Sequence, residues 1–112
     1  MARKARKLAI HYRDLARSCL KEIWDWNANQ FGPEHAEKYV KFLVDRADAL
    51  ETAYLQGKMV PNRDSYRYIV VRRKSQGHGH LIVYLILSDR VEVLAFFHTR
   101  QDWQGKIDRG DI

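Results

Sequence analysis

Hydrophobic and polar residues alternate along this chain in two rhythms, one of period two and one of three to four. Leu8, Ile10 and Tyr12 interleave with Ala9, His11 and Arg13, which predicts a short first strand with one apolar face. Asp14 then stands as a candidate N-cap for a helix running to about Phe31. Ala16, Cys19, Leu20, Ile23 and Asn27 fall on its apolar stripe, flanked by Trp24 and Trp26. Two tryptophans so close suit a binding platform, but core or helix–helix packing is the preferred reading, because aromatics mostly serve as buried area. At Phe31-Gly32-Pro33-Glu34 the helix ends on Gly32, and Pro33 opens a second one. That helix is expected to run to about Gln56, with Ala36, Tyr39, Val40, Leu43, Ala47, Leu50 and Tyr54 inward. Glu37 with Lys41, and Lys41 with Asp45, form opposite-charge pairs on its wet side. Gly57 stops it, and the two helices make an antiparallel hairpin.

Residues 58–65 read as a loop, because Pro61 and Asn62 are turn formers. Three period-two runs follow: Tyr66 to Arg73, His80 to Leu87 and Val91 to His98. Lys74 to Gly79 is a looser hairpin connection, and Ser88-Asp89-Arg90 a tight one. The predicted fold is α+β: an N-terminal strand, an antiparallel helical hairpin, then a three-stranded antiparallel meander. Leu81 to Leu87 is apolar on both faces. The helices cover one face. Nothing remains in the chain for the other, which implies a partner or an oligomer.

A length of 112 residues bounds this to one domain. It spans residues 8–103, between a basic solvated arm at 1–7 and a mobile tail at 104–112 carrying Gly105 and Gly110. No apolar run reaches transmembrane length, and no apolar segment follows the basic N-terminus as a signal peptide would require, so a cytoplasmic protein is expected. The lone Cys19 excludes an internal disulfide and a cysteine-based metal site, and reads as a buried thiol. The net charge of +6 is unevenly spread: residues 1–21 carry +6, residues 22–57 carry −4 and residues 58–112 carry +4. The basic sheet suggests an acidic partner, whether nucleic acid, a nucleic-acid machine or an acidic protein segment.

Chemistry concentrates where the last strand breaks into His98-x-Arg100-x-Asp102-Trp103. Arg67 and Arg73 share one side of their strand with Ile69 and Val71, while Arg72 is on the other. With His98 and Arg100 they could surround a phosphodiester, and His98, His80 and Tyr84 could supply the acid and base of a metal-independent nuclease. The plainer reading, slightly ahead, makes Arg67 and Arg73 charges that protect a sheet edge. Asp102 equally suits a pair with Arg100 or a cap of the turn, His98 satisfaction by backbone, and Trp103 a fold back over the sheet end. Gly77-His78-Gly79-His80 offers two histidines but no third ligand, so a glycine-rich hairpin is preferred over a metal site. No glycine-rich phosphate loop, nucleophile elbow or paired-carboxylate motif occurs, and no cofactor is implied.

Leu20-Lys21-Glu22-Ile23-Trp24-Asp25-Trp26 and Phe31-Gly32-Pro33-Glu34 resemble the helical hairpin of the RelE/ParE superfamily of toxin–antitoxin toxins. His80-Leu81-Ile82-Val83-Tyr84 and His98-x-Arg100-x-Asp102-Trp103 resemble the strands and C-terminal motif of its ParE branch, and the similarity covers residues 8–103. The resemblance implies a toxin held inactive by a cognate antitoxin that wraps its apolar and basic surface. ParE-like members act on DNA gyrase and block replication. RelE-like members bind the ribosome and cut mRNA, typically with an arginine where this chain has Leu81 and a Tyr or His in the tail, absent here after Asp102. The expectation is therefore a non-enzymatic gyrase inhibitor, with Arg67, Arg73, His98, Arg100, Asp102 and Trp103 as toxicity or partner-binding residues. The alternative is a ribosome-dependent endoribonuclease built on His98, Arg67 and Arg100.

Overall fold

The computed structural model describes residues 6–73, 79–110 and 112. Strand β1 (Ala9–Tyr12) leads into helix α1 (Asp14–Phe31) and helix α2 (Pro33–Asp48). A short helix α3 (Leu50–Ala53) and a 3-10 turn (Tyr54–Gln56) follow. Then come β2 (Lys58–Val60), β3 (Arg63–Val71), β4 (His80–Ile86), β5 (Arg90–His98) and a last helix α4 (Trp103–Asp108). The five strands form one mixed sheet in the order β1-β5-β4-β3-β2. β1 lies parallel to β5, whereas the other neighbours are antiparallel. The α+β class and the helical hairpin are as the sequence patterns predict.

Helix α1 spans the expected residues, but its N-cap is Arg13, and Asp14 is its first helical residue. The Arg13 N–H donates to the Val93 carbonyl (3.0 Å), so the sheet holds the chain extended one residue longer. Asp14 then places its charge in the first turn, where the helix dipole favours it. Gly32 joins α1 to α2 with φ 94°, a conformation that glycine adopts without strain. Trp24, half-buried, ties the two helices together through its Nε1–H, which donates to Glu37 (3.0 Å). Trp26 does not pack as expected: it is 59 % exposed. Lys41 pairs with Asp45 (2.8 Å).

The second helix stops at Asp48 instead of continuing to Gln56, because tertiary partners claim its last turns. Tyr12 Oη donates to Asp48 (2.6 Å), and the Leu8 N–H donates to the Glu51 carbonyl (2.8 Å). The buried Tyr84 side chain donates to the Tyr54 carbonyl (2.6 Å) and accepts from the Gly57 N–H (3.1 Å). A β-carbon on Gly57 would lie 2.1 Å from Tyr84 Oη, so the approach requires glycine here. Residues 58–65 are a hairpin and not a loop. Pro61 and Asn62, the latter with φ 64°, form the turn between β2 and β3. The Lys74–Gly79 connection and the Gly77-His78 pair fall outside the described residues, apart from Gly79.

The sheet buries both faces. Val71, Ile82, Tyr84, Val91, Val93 and Phe96 meet Ala16, Leu43, Ala47 and Leu50 of the helices. The second face, for which the sequence offered no cover, is covered along β4 and β5 by residues expected to be a mobile tail, while Val70 on β3 stays 39 % exposed. Helix α4 buries Ile107 completely beside Val83, Ala95 and Phe97. Arg63 donates to the Ile107 carbonyl (3.0 Å), and the Trp103 ring lies 4.7 Å from that of Tyr68. At the other terminus Arg6 and Lys7 are also engaged. Arg6 donates to the Ser88 carbonyl, Tyr54 Oη donates to the Arg6 carbonyl (2.7 Å), and Lys7 lies 3.6 Å from Glu51.

Two substitutions test this account. Tyr84→Phe leaves the Gly57 N–H and the Tyr54 carbonyl unpaired in the core, and is expected to destabilise by about 2 kcal/mol. Ile107→Ala is expected to destabilise by roughly 2–4 kcal/mol if α4 is part of the core. Urea denaturation midpoints measure both, and a wild-type midpoint for Ile107→Ala would mean that α4 contributes no burial.

Candidate functional site

Strands β4 and β5 bring two histidines together at one end of the sheet. His80 and His98 are directly opposed, with ring centroids 5.2 Å apart at 90°. Their alignment depends on one extra residue in β5. Tyr84 opposes Val93 while Val83 opposes Ala95, so Leu94 has no partner and the alternation of β5 shifts there. After the bulge Phe96 and His98 face the helices, together with Ile82 and His80.

His80 is buried, and its Nδ1 shares a 2.6 Å hydrogen bond with Tyr39 Oη. Burial first, and the neighbouring His98 second, lower the His80 pKa to about 4, so the ring is neutral at pH 7. Burial also pushes the Tyr39 phenol up, partly offset by the Arg73 guanidinium. His98 is half-buried and fixed by the turn that follows it. Its Nδ1 accepts from the Arg100 N–H (3.1 Å), and its own N–H donates to Gln101 Oε1 (2.7 Å). Thr99 is tied to Gly79 of the facing strand end through its N–H (3.0 Å).

A cavity of about 640 Å³ opens beside this pair. Leu15, Cys19, Ile23 and Trp26 of α1 form one wall, and Phe96, Phe97 and His98 of β5 the other. Tyr39, His80, Gln101 and Lys106 supply polar groups, and Glu22 stands on the α1 side. Apolar walls with a few convergent polar groups are the usual lining of binding pockets, which makes this cavity the candidate site. The Cys19 thiol is half-buried, and burial raises its pKa, which disfavours the reactive thiolate.

The six residues singled out in the sequence do not form one cluster. His98 lines the cavity, the exposed Arg100 follows in the turn that fixes it, and Arg73 is close enough to Tyr39 for its charge to be felt there. Arg67 opposes Tyr84, four residues along β4 from His80, or about 13 Å at strand spacing. Its guanidinium donates to the Gly57 carbonyl (3.0 Å), holding the end of the 3-10 turn. Asp102 caps α4 by accepting from the Gly105 N–H (3.1 Å), and Trp103 seals the second face. Tyr84 is fully buried and committed to Tyr54 and Gly57, which removes it from any acid–base set at His98. Tyr39, Gln101 and Lys106 were not legible as site residues. Tyr39 sat in an apolar stripe, and the other two sat in a segment without periodicity.

A separate charged knot fastens β1 to β5. Buried Glu92 accepts from Arg13 Nε (2.6 Å) and Arg90 Nε (3.1 Å), with His11 at 3.8 Å. Arg13 foremost, and Arg90 with it, hold its carboxyl below the usual range. Among the described residues no group of three or more His, Cys, Asp or Glu side chains is placed to hold a metal ion. No helix of the described residues is long and apolar enough to cross a membrane.

The family model for the ParE toxin of type II toxin–antitoxin systems, parDE, matches residues 10–103. This chain belongs to the ParE toxin family. A solved structure of a chromosomal ParDE TA system from P. aeruginosa aligns with a TM-score of 0.69 at 20 % sequence identity. The alignment covers 81 % of this chain and 95 % of that one, and at this identity it speaks for a shared fold. No curated protein is significantly similar in sequence. The ParE family match takes in His80, His98 and both walls of the cavity, and it ends at Trp103, where α4 begins.

The buried histidine makes stability pH-dependent. Unfolded His80 takes up a proton near pH 6.5, whereas the folded ring resists until about pH 4. The stability contributed by keeping it neutral is complete above pH 6.5 and is lost as pH falls, by up to about 3 kcal/mol at pH 4. Melting temperatures recorded from pH 7 to 4 should fall more steeply for the wild type than for His80→Gln. Parallel curves would rule out His80 as the source.

Proposed function

We propose that this chain is a ParE-type toxin that arrests growth in the cytoplasm by binding DNA gyrase and blocking replication, and that a cognate antitoxin neutralises it. The observation that carries the reading is the ParE family match over residues 10–103, which contains the whole cavity wall of α1 and β5. Toxicity by binding is favoured over RNA cleavage by the placement of the ionisable groups. His80 is neutral and bonded to Tyr39, Tyr84 is committed to backbone, and Arg67 holds the 3-10 turn at the far end of the sheet. A cleaving site needs such groups to converge on one phosphate.

For the antitoxin, the cavity between α1 and the end of β5 is the docking place. Apolar side chains of an acidic, partly disordered segment enter it, and carboxylates lie beside Lys106, Arg100 and Arg73. Of the residues chosen from sequence, His98, Arg100 and Arg73 keep a binding role in this reading. Arg67, Asp102 and Trp103 act by holding the scaffold.

Induction of the chain in growing bacteria, with labelled thymidine and labelled amino acid followed side by side, tests the target. DNA synthesis should stop first, and the purified chain should inhibit supercoiling by gyrase. Translation stopping first, with mRNA cut, would replace this reading by the ribosome-dependent endoribonuclease. Saturating antitoxin, at a hundred times its dissociation constant, should stabilise the chain by about 2.7 kcal/mol.

A further inference from the structure

The tip of the helical hairpin differs in charge from the rest of the molecule. From Glu22 to Glu37 the sequence holds Glu22, Asp25, Glu34 and Glu37 and neither lysine nor arginine, in a chain of net charge +6. Trp26 and Phe31 project from this acidic stretch, 59 % and 61 % exposed. Their rings meet edge to face, with centroids 6.0 Å apart. Water is an unfavourable surrounding for two aromatic side chains. They are held in place from beneath. Phe31 touches His35 (4.8 Å), His35 lies parallel to Tyr39 (6.4 Å), and Tyr39 reaches the buried His80 ring (5.5 Å). An exposed aromatic pair on a fixed support has the character of a protein-binding anchor, since Trp-centred, preorganised contacts dominate interface energies.

We propose that this tip is the surface by which the toxin docks on its target, and that the target presents an apolar recess ringed by lysine and arginine. The inference rests on the toxin reading above and assigns where the target is held. Charge complementarity selects the occupant: Glu34 is paired with Lys38 (3.4 Å), and Glu22, Asp25 and Glu37 leave the tip net negative, which repels phosphates and acidic peptides and attracts a basic protein surface. It also separates the target from an acidic antitoxin, whose complement is the cationic end of the sheet. The two surfaces meet at Trp26, which lines the cavity and touches Phe31. A segment that fills the cavity therefore covers half of the aromatic pair, so that antitoxin and target exclude each other.

The test uses Phe31→Ala and Asp25→Lys in the full chain. Met59→Ala, which removes a 48 % exposed apolar side chain on β2, is the control. Growth arrest on induction and inhibition of purified gyrase are titrated, with melting temperatures as the check on folding. Phe31→Ala and Asp25→Lys should melt as the wild type does yet need at least tenfold more protein for the same effect. Met59→Ala should match the wild type. Tip variants as potent as a toxic wild type would overturn the docking surface and leave the toxin reading standing. The same holds if Met59→Ala loses as much as they do. A wild type that neither arrests growth nor affects gyrase would overturn the toxin reading, and the docking inference with it.

Discussion

One residue too many in β5 determines how the cavity end of this molecule is built. With Leu94 unpaired, the second half of the strand turns over, so that Phe96 and His98 face the helices. Without the bulge, Ala95 and Phe97 would face them, and His98 would lie on the side that α4 covers. The bulge also follows immediately after the stretch of β5 that β1 pairs with, Arg90 to Val93. Beyond that point α1 takes over as the neighbour of β5, and the cavity opens where helix and strand diverge. The His80–His98 pair, the Tyr39 contact and the cavity wall all depend on this local change of phase.

The Glu92 knot serves the same strand from its other half. A parallel pair of only four residues is a weak contact by itself. Arg13 and Arg90 close on a buried carboxylate beside it and place β1, and hence the start of α1, at a fixed position. A buried charge is tolerated only when it is paired, so this knot contributes placement more surely than stability.

The sequence was most legible where local chemistry decides the outcome. The span of α1, the Gly32-Pro33 junction and the three long strands follow from periodicity and turn residues. The end of α2 was not legible, because nothing near Ala49 announces a break. Leu8, Tyr12 and Tyr84 impose it from elsewhere in the chain. Helix α4 was missed because six residues with a central Gly105 carry too little pattern, and Ile107 alone marks its apolar side. At the site, His98 was identified because a polar motif ends an apolar strand. Its partnership with His80 was not, because a run as uniformly apolar as Val91 to Phe97 conceals a bulge.

The two outer strands of the sheet have a consequence for association between molecules. β1 is four residues long, and β2 is three, with an irregular register between Met59 and Val60 and Pro61 directly after it. A strand from another molecule would find too short a run of free backbone groups on either side to propagate a sheet. Neither edge therefore serves as a template on which further strands could add.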